Sequence, residues 1–469
     1  MKRTVRLAVL AIVAITGLTP AAATTAAGAS ASDQGTASGG TRAPLTYRPA
    51  TSAGGTQLWA KQYHGLMGAG GRAAAMSPNG SAVFVTGDFQ KKGGLTGGET
   101  VAYNPATGAM LWATAFNPGG GHIGGSSSVF VSIAVSPDGG TVFVAGSLSP
   151  TRGARDQYVT VAYNATTGAR LWAATGVSGL LNSIAVSPSG STVFVTGQII
   201  NSGAAVTVAY RAATGATLWT ANTGVASDGV SVAVAPDGSA VIVTGSGAVA
   251  VYKAATGATI WAHSLTFGPT SVAVSPDGSK IYVAGASGSS PTTFGTTAAY
   301  NAATGAKLWS QTSTNPGGYN AVAVSPDGSR VFATGTWQRM LKHRTSRSIL
   351  YGTVAYNATT GTPAWANQYR GPLPSTVIAL NDAQSVAVNP AGSEVFITGY
   401  ATVTLPAGTG NVMATVAYDA ATGAKLWTAS YVPDGIGDAV VVSPNGSKVF
   451  AVGSTSATGP AIATVAYGT

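Results

Sequence analysis

The chain has 469 residues, with 24 Lys and Arg against 14 Asp and Glu, a formal net charge of +10 and a charged fraction of only 8%. Its cations are spread thinly, which argues against the concentrated basic face that nucleic-acid binding requires. It contains no Cys, which excludes a disulfide framework and a lipid anchor attached to an N-terminal Cys.

The amino terminus predicts a secretory signal peptide over residues 1–31. A basic start precedes an apolar core from Leu7 to Leu18. About 12 apolar residues are too few to cross a bilayer, which needs about 20. Residues 32–54 are rich in Gly, Ser, Ala and Thr and predict a flexible linker. We therefore expect a secreted, monomeric protein without a membrane span, free outside the cell or associated with its wall.

The rest of the chain consists of a unit that recurs about every 52 residues. Each unit begins with a short apolar strand, a turn containing Pro, and a second strand that ends in Gly. A third strand carrying Tyr and a fourth carrying Trp follow, joined by a Thr-Gly turn. The turn prolines are Pro78, Pro137, Pro188, Pro236, Pro276, Pro326, Pro390 and Pro444. The glycines are Gly87, Gly146, Gly197, Gly245, Gly285, Gly335, Gly399 and Gly453.

Eight copies of a four-strand unit, without helical periodicity, predict an all-β fold, an eight-bladed β-propeller of four-stranded antiparallel blades. The two ends of the repeat array indicate how the ring closes. The last copy lacks a fourth strand, while the first strand of residues 55–63 has no blade of its own. We therefore expect a propeller over 55–469 whose eighth blade is shared by 438–467 and 55–63, so that no edge strand is left open.

The strand order also separates two faces of the propeller. The Pro and Thr-Gly turns should lie together on one face and hardly vary. The connections from strand two to strand three, and from strand four to the next blade, should lie on the other face, where their lengths differ widely. We call this second face the variable face and expect binding to occur there.

The fourth-strand hairpin resembles a known motif. The run from Ala417 to Trp427, AYDAATGAKLW, is similar to the tryptophan-docking motif A-x-D-x-x-T-G-x-x-x-W of PQQ-binding-like, eight-bladed quinoprotein propellers. The Ser-Pro-Asp-Gly turns are similar to those of WD40-like and YVTN-type propellers. The resemblance implies that eight tryptophans pack each blade against the next, namely Trp59, Trp112, Trp172, Trp219, Trp261, Trp309, Trp365 and Trp427.

The same resemblance raises the possibility of a quinone enzyme. Such enzymes bind PQQ and a Ca²⁺ held by carboxylate and amide oxygens, and Ca²⁺ needs six to eight oxygen ligands. The sequence shows no compact carboxylate cluster, and we predict no metal ligands and no cofactor. The anions expected on the variable face are scattered over different blades: Asp88, Glu99, Asp156, Asp228, Asp382, Asp434 and Asp438.

Two groups of residues are candidates for binding. The position six residues before each turn Pro should lie at the mouth of the central channel, and five of these are strongly polar: Arg72, Asn182, Asn320, Gln384 and Asp438. They could bind a small polar ligand, or they could only make the channel mouth wet. The second group is the cationic loop 337–347, which could grip an anionic polymer or an acidic partner, or could be a solvated loop. Its cations are Arg339, Lys342, Arg344 and Arg347.

The four histidines offer a weaker indication of catalysis. A lyase-like propeller could use one as a general base, but none has a carboxylate at a recognisable spacing. They are His64, His122, His263 and His343. The sequence therefore favours a non-enzymatic binding or scaffold protein, with a protein partner or an envelope or extracellular ligand, and predicts no catalytic residues. The alternative is an enzyme with an axial pocket, either a PQQ- and Ca²⁺-dependent oxidoreductase or a lyase.

Overall fold

The fold is described from a computed structural model. It describes residues 54–65, 69–90, 96–116, 127–150, 155–200, 204–289, 292–340, 347–373, 378–405, 408–431, 435–455 and 459–469. The predicted signal peptide and almost all of the predicted linker lie outside these residues.

The described residues form strands and turns and contain no helix. The first fifteen strands are β1 (Gln57–Tyr63), β2 (Ala69–Met76), β3 (Val83–Gln90), β4 (Thr96–Tyr103), β5 (Met110–Phe116), β6 (Ser127–Val135), β7 (Thr141–Ser149), β8 (Gln157–Asn164), β9 (Arg170–Val186), β10 (Thr192–Ile199), β11 (Ala204–Arg211), β12 (Thr217–Val234), β13 (Ala240–Ser246), β14 (Ala248–Lys253) and β15 (Thr259–Ser264). The others are β16 (Gly268–Val274), β17 (Lys280–Ser289), β18 (Thr292–Asn301), β19 (Lys307–Val324), β20 (Arg330–Met340), β21 (Arg347–Asn357), β22 (Pro363–Tyr369), β23 (Asp382–Val388), β24 (Glu394–Leu405), β25 (Gly408–Asp419), β26 (Lys425–Tyr431), β27 (Gly435–Val442), β28 (Lys448–Thr455) and β29 (Ala461–Gly468).

These strands pair antiparallel in eight groups of four, which confirms the predicted propeller blades. Blade 1 is β2 to β5, and the blades follow in chain order. Blade 8 combines β27, β28 and β29 with β1 as its outermost strand. In that blade Gln57 lies opposite Tyr467 and Tyr63 opposite Ile462, which is the pairing of the chain ends expected from the repeat pattern.

Three strands are longer than the repeat pattern predicts, because each serves two blades. β9 pairs with β8 through residues 170–178 and with β10 through 179–186. β12 and β19 behave in the same way. In β19 the change of partner occurs at Gly317, whose φ of 147° is one that residues with a side chain rarely adopt. The outermost strand of one blade therefore continues directly into the innermost strand of the next.

The hydrophobic core lies between the blades. The first strand of every blade contacts that of the next, and β27 of blade 8 contacts β2 of blade 1. The large buried clusters draw residues from two adjacent blades, as when Phe84 and Trp112 of blade 1 pack with Val144 and Tyr163 of blade 2. Close packing of these layers is what fixes the angle between neighbouring blades.

Each tryptophan of the fourth strand docks on the next blade. The ring of Trp172 lies between Phe143 of its own blade and Tyr210 of the next, with ring centroids 5.9 and 6.4 Å away. Its Nε1 donates to the carbonyl oxygen of Ala212 at 2.7 Å. The ring also covers Gly215, where a Cβ would lie 2.6 Å from it. Six other tryptophans make the same bond, at 2.8–3.1 Å: Trp59, Trp112, Trp219, Trp261, Trp309 and Trp365.

Trp427 is the exception, because the blade that it meets is the shared one. Its ring lies against Gly54 and Gly55, where the first described residues meet the end of β29. The Nε1 of Trp427 has no hydrogen-bond acceptor among the described residues. Packing between Phe396 and Tyr467 is nevertheless retained, so the ring keeps its place between two blades.

The recurrent glycine of the second strand was expected to end that strand, and this was wrong. β20, for example, continues five residues beyond Gly335. A β-bulge in the first strand lies opposite this glycine in every blade, and in blade 6 the bulged residue is Asn320. A Cβ on Gly335 would overlap the carbonyl oxygen of Gly318. The bulge brings the two backbones so close that only Gly fits. The same overlap with a first-strand oxygen exists at Gly87, Gly146, Gly197, Gly285, Gly399 and Gly453.

We predict that Gly335→Ala lowers the free energy of unfolding by about 1–3 kcal/mol, because the added methyl group must push the bulged strand away. Gly468→Ala is the matched control, since a Cβ there meets nothing within 4 Å. Thermal and urea unfolding measure both. Equal stability of the two variants would contradict the assignment of Gly335 to a close backbone approach.

A buried carboxylate lies where the shared blade meets blade 1. Glu99 of β4 is 2% exposed, and its Oε1 accepts a hydrogen bond from the Tyr63 hydroxyl of β1 at 3.2 Å. Burial raises the pKa of Glu99 to about 7, although the bond from Tyr63 opposes this. Because the pKa of Glu99 is higher in the folded state than in the unfolded state, the protonated carboxyl group stabilises the fold. This contribution to the free energy of unfolding is complete below about pH 4.5 and is lost as the pH rises through about 7.

We predict that Glu99→Gln leaves stability unchanged at pH 4.5 and raises it at pH 8.5 by about 3 kcal/mol, since the buried charge no longer has to form. The control is Asp419→Asn. This residue is only half-buried and the pKa of its carboxyl group is lowered, mainly by the Thr422 hydroxyl. That variant should gain nothing at pH 8.5. Unfolding free energies across this pH range provide the measurement, and a gain for Glu99→Gln that does not depend on pH would refute the prediction.

Candidate binding surface

The face that carries the Pro and Thr-Gly turns satisfies its own polar groups. In the turn after β8, the Asn164 Oδ1 accepts hydrogen bonds from the backbone N–H groups of Thr166 and Thr167. In the turn after β16, the hydroxyl groups of Ser275 and Ser279 and the N–H of Ser279 donate to Asp277, which lowers the pKa of Asp277 to about 2. Asn164 stands where the docking motif has Asp, and its side-chain oxygen can make the same bonds within the turn. Because the polar groups of these turns bond to one another, few are left to bind a ligand.

All of the predicted channel-mouth residues occupy the β-bulges of the innermost strands. Asn182 Nδ2 donates to the carbonyl oxygen of Gly229 in the next blade at 2.7 Å. In blade 6, Asn320 Nδ2 donates to the carbonyl oxygen of Ala383 at 2.8 Å. Each acceptor belongs to the residue just before the bulge of the neighbouring blade. Gln384 is buried as well, at 8% exposure. The side chains of Asn182 and Asn320 therefore hold adjacent blades together.

The residue after the bulge reinforces this link in four blades. Its Ser hydroxyl accepts a hydrogen bond from a backbone N–H of the innermost strand of the next blade, at 3.2–3.3 Å. A bond of this kind requires no loop and joins strands that share no sheet hydrogen bonds. The pairs are Ser132 with Ile184, Ser183 with Val232, Ser271 with Val322, and Ser385 with Val440.

Arg72 and Asp438 bring charge to the junction of blades 8 and 1. Arg72 Nε lies 3.0 Å from Asp88 Oδ1, with side-chain exposures of 46% and 21%. Burial lowers the pKa of the Arg72 guanidinium, but the carboxylates of Asp88 and Asp438 outweigh it and the net effect is a raised pKa. Beside them lies a cleft of about 400 Å³ whose lining includes Asp88, Gln90 and Thr455.

The carboxylates of the variable face do not fit a Ca²⁺ and quinone site. Asp88 pairs with Arg72, Asp382 accepts a hydrogen bond from Asn320, and Glu99 accepts one from Tyr63. Within the described ranges, no three His, Asp or Glu side chains come together as possible metal ligands. Of the other anions that were named, Asp434 lies outside those ranges. Asp88, Asp382 and Glu99 therefore have local partners on different blades and do not point at a common centre.

The cationic segment was predicted as a loop, and in the described part this was wrong. β20 and β21 continue as a hairpin in which Arg339 lies opposite Ser348 and Met340 opposite Arg347. Trp337 is 3% exposed, because its ring packs over Gly352 across the sheet. The aromatic side chain is therefore part of the core and is not available to a ligand. Arg339 and Arg347 are exposed on the strands, while Lys342 and Arg344 lie outside the described residues.

The structure adds a residue that the sequence analysis missed. Arg370 follows β22, and its Nη1 donates to the Ser348 hydroxyl at 3.4 Å, next to Arg339. The connection that begins there returns to β21, where Ile349 and Leu380 form a parallel bridge. The sequence does show that Arg370 begins a long connection on the variable face. It does not show that this connection brings Arg370 close to Arg339.

Two apolar side chains of the connection after β22 are exposed. Ile378 is 37% and Leu380 49% exposed, although both belong to the connection that is bound to β21. Leu380 is bridged to Ile349, so it lies on the other face of the β20–β21 hairpin from Arg339 and Ser348. The hairpins β17–β18, β20–β21 and β24–β25 are longer than the corresponding hairpins of blades 1 to 4 and 8.

The two described histidines lie on different blades. His64 follows β1, and His263 lies on β15 with its ring 5.1 Å from that of Trp261. Neither is held by a described carboxylate in an ion pair. His122 and His343 fall outside the described residues. A search of the described part also finds no helix that could cross a membrane.

Comparison with known proteins identifies the fold family. The sequence profile of the family described as outer membrane protein assembly factor BamB matches residues 49–207 and 202–413. A comparison with curated protein sequences gives no match.

Solved structures with the same architecture have low sequence identity. BamB from Moraxella catarrhalis is 16% identical, with a TM-score of 0.51 over 88% of this chain and 99% of its own. Sqt1 from Chaetomium thermophilum is 13% identical, with a TM-score of 0.59 over 88% and 99%. Its complex with the N-terminus of the ribosomal protein L10 is 14% identical, with a TM-score of 0.58 over 87% and 98%. At these identities the likeness concerns the fold. Because the family profile covers most of the sequence, the chain belongs to the PQQ-like β-propeller family described as outer membrane protein assembly factor BamB.

Proposed function

We propose that the protein is a secreted, non-enzymatic scaffold that binds a protein partner through its variable face. The proposal rests on a difference between the side chains at the channel mouth and those on the outer part of the variable face. At the channel mouth, Asn182 and Asn320 are used in bonds between blades. On the outer part of the variable face, Arg339 and Leu380 are exposed. The projecting hairpins therefore offer exposed side chains for binding, whereas Asn182 and Asn320 at the axis are already used between blades.

The comparisons support a protein as the partner. The family takes its description from an outer membrane protein assembly factor. A structural neighbour, Sqt1, has been solved with the N-terminus of the ribosomal protein L10 bound to it. Fold likeness by itself says little about activity, so the argument depends on the surface. A propeller offers a rigid scaffold on which hairpins of different length can present contact residues, and this is the usual design of a binding surface on loops.

The proposal predicts that crosslinks to a partner form from one face only. A photoreactive amino acid is placed at Ser289 or Leu380 on the variable face, and at Thr166 or Ala303 on the turn face as matched controls. All four positions are exposed. After irradiation with the envelope and culture proteins of the source organism, we expect a discrete protein adduct from at least one variable-face position and none from the turn face. Equal labelling from both faces, or no adduct at all, would overturn the proposal.

Export is a separate part of the proposal and rests on the sequence. The apolar core of residues 7–18 is expected to direct the chain to a secretion pathway and to be removed. Mass spectrometry of the exported protein should find an amino terminus near residue 32. Leu10→Arg should keep the protein inside the cell, because a charge interrupts the apolar core, whereas Thr36→Arg in the predicted linker should not. Export of the Leu10→Arg protein at the normal level would count against the signal peptide.

A further inference from the structure

The cleft beside Asp88 lies where blades 7, 8 and 1 meet on the variable face. Its lining joins Asn411 of β25, Ser454 and Thr455 of β28, and Asp88 and Gln90 of β3. Its volume of about 400 Å³ falls within the range of roughly 300–1,000 Å³ that is typical of small-molecule sites. The cleft therefore has room for a small ligand or for one end of a longer chain.

A missing side chain at Gly70 lets polar groups of two blades approach the same point in this cleft. A Cβ on Gly70 would lie 3.1 Å from Ser454 Oγ of blade 8 and 3.7 Å from Asp88 Oδ1 of blade 1. Arg72 Nε holds the Asp88 carboxylate at 3.0 Å. The Ser454 hydroxyl donates to the carbonyl oxygen of Gly71 at 3.4 Å and keeps its ability to accept. A ligand hydroxyl above Gly70 therefore finds an acceptor on each blade.

The blade 7 side of the cleft adds a carboxamide and a buried hydroxyl. Asn411 lies on the same side of β25 as Met413, which packs against blade 8. Thr455 is 3% exposed, and its hydroxyl has no hydrogen-bond partner among the described residues. A buried hydroxyl without a partner is costly, and a ligand that offers a hydrogen-bonding group removes that cost.

The charges around the cleft favour a neutral ligand. Asp88 is the only charged side chain among the described lining residues, and it is already paired with Arg72. A cation placed beside Asp88 would be repelled by this guanidinium group. An anion would be repelled by the Asp88 carboxylate and by Asp438, which interacts electrostatically with Arg72. A neutral hydrogen-bonding group avoids both penalties.

The chemistry of the lining favours a ligand with several hydroxyl groups. Carboxamides both donate and accept, as a ligand hydroxyl does, and a carboxylate accepts from hydroxyl donors. None of the described lining residues is aromatic, and Ile436 and Pro460 are the largest apolar ones. A peptide with apolar side chains would find little to pack against here. A sugar ring, which carries adjacent hydroxyl groups and no charge, matches the lining better.

We propose that this cleft binds a sugar unit. Its hydroxyl groups donate to Asp88 and Ser454 above Gly70 and bond to the side chains of Asn411 and Thr455 on the blade 7 side. A free sugar and the terminal unit of an envelope polysaccharide share this chemistry, and the experiment below separates them. The site does not depend on the proposed protein partner and gives the variable face a second kind of ligand.

The test uses the full chain. Saturation-transfer difference NMR measures binding of a panel of methyl glycosides, and an array of bacterial polysaccharide fragments tests longer chains. We expect at least one saccharide to bind with a Kd that is independent of salt, because no ion pair forms with the ligand. Equal affinity for a methyl glycoside and for the fragments indicates a free sugar. Binding only of fragments that end in one particular unit indicates a polysaccharide terminus.

A matched pair of glycine variants tests the location of the site. Gly70→Ala places a methyl group between Asp88 and Ser454 without removing a polar group, and it should weaken binding roughly tenfold. The control is Gly268→Ala. Gly268 lies, like Gly70, two residues before the bulge of an innermost strand, and a Cβ there meets only the carbonyl oxygen of Ala286 at 3.8 Å. This control should bind as the wild type does.

A second pair removes one carboxamide without filling the cleft. Gln90→Ala should weaken binding about fivefold, since one hydrogen bond is lost. Gln57→Ala removes an exposed carboxamide from the outermost strand of blade 8 and should have no effect. Thermal unfolding verifies that each variant is folded. If Gly70→Ala does not fold, the Gln90 pair decides, because Gln90 is exposed.

The inference fails if no glycoside or fragment binds, or if a folded Gly70→Ala protein binds as tightly as the wild type. It also fails if putrescine, included as a cationic probe, binds at this cleft and the sugars do not. None of these results alters the crosslinking expected from Ser289 and Leu380. Loss of the sugar site is therefore distinguishable from loss of the proposed function.

Discussion

The structure depends on the docking of a tryptophan ring onto a glycine of the next blade. Neighbouring blades share few backbone hydrogen bonds, so their attachment must come from side chains. Trp172 shows what is needed: aromatic neighbours on two blades, a hydrogen bond from its Nε1 to Ala212, and a bare Gly215 under the ring. A large aromatic side chain buries 150–250 Å² or so and tolerates one polar atom if that atom is bonded. Repetition of this contact makes each blade the support of the next.

The ring of blades closes where the shared blade 8 contacts blade 1, and the residues at this junction affect its stability. β1 completes the last blade, and the contact between the shared blade and blade 1 contains the buried pair of Tyr63 and Glu99. A carboxyl group with a raised pKa at the junction couples ring stability to pH. The bulges of the innermost strands tie the same ring together from inside, through side chains such as Asn182 and Asn320. At Asn182 and Asn320 the polar side chains of the innermost strands therefore serve contacts between blades.

The candidate surface was only partly predictable. The cations Arg339 and Arg347 were identified as a cluster in sequence, but their segment was expected to be a loop. The hairpin forms because Trp337 can pack over Gly352, a contact between strands that local sequence does not reveal. Arg370 was missed because its proximity to Arg339 depends on the way the connection after β22 folds back onto β21. The residues expected at the channel mouth occupy bulges of the innermost strands, and the bonds of Asn182 and Asn320 to adjacent blades could not be read from spacing.

The sequence by itself determined the repeat, the four strands of each blade, the turn types and the pairing of the two ends. The strands and turns follow from patterns within about 50 residues, because Pro and Gly set local dihedral angles and alternation sets the strands. The pairing of the ends follows from the incomplete repeats at the two ends of the array. Tertiary structure decided what each polar side chain does. From the sequence, Asn320 was a candidate ligand-binding residue at the channel mouth, and Leu380 was not singled out. One lies within reach of a carbonyl group in the next blade and the other faces water, and only the packing of distant segments creates that difference.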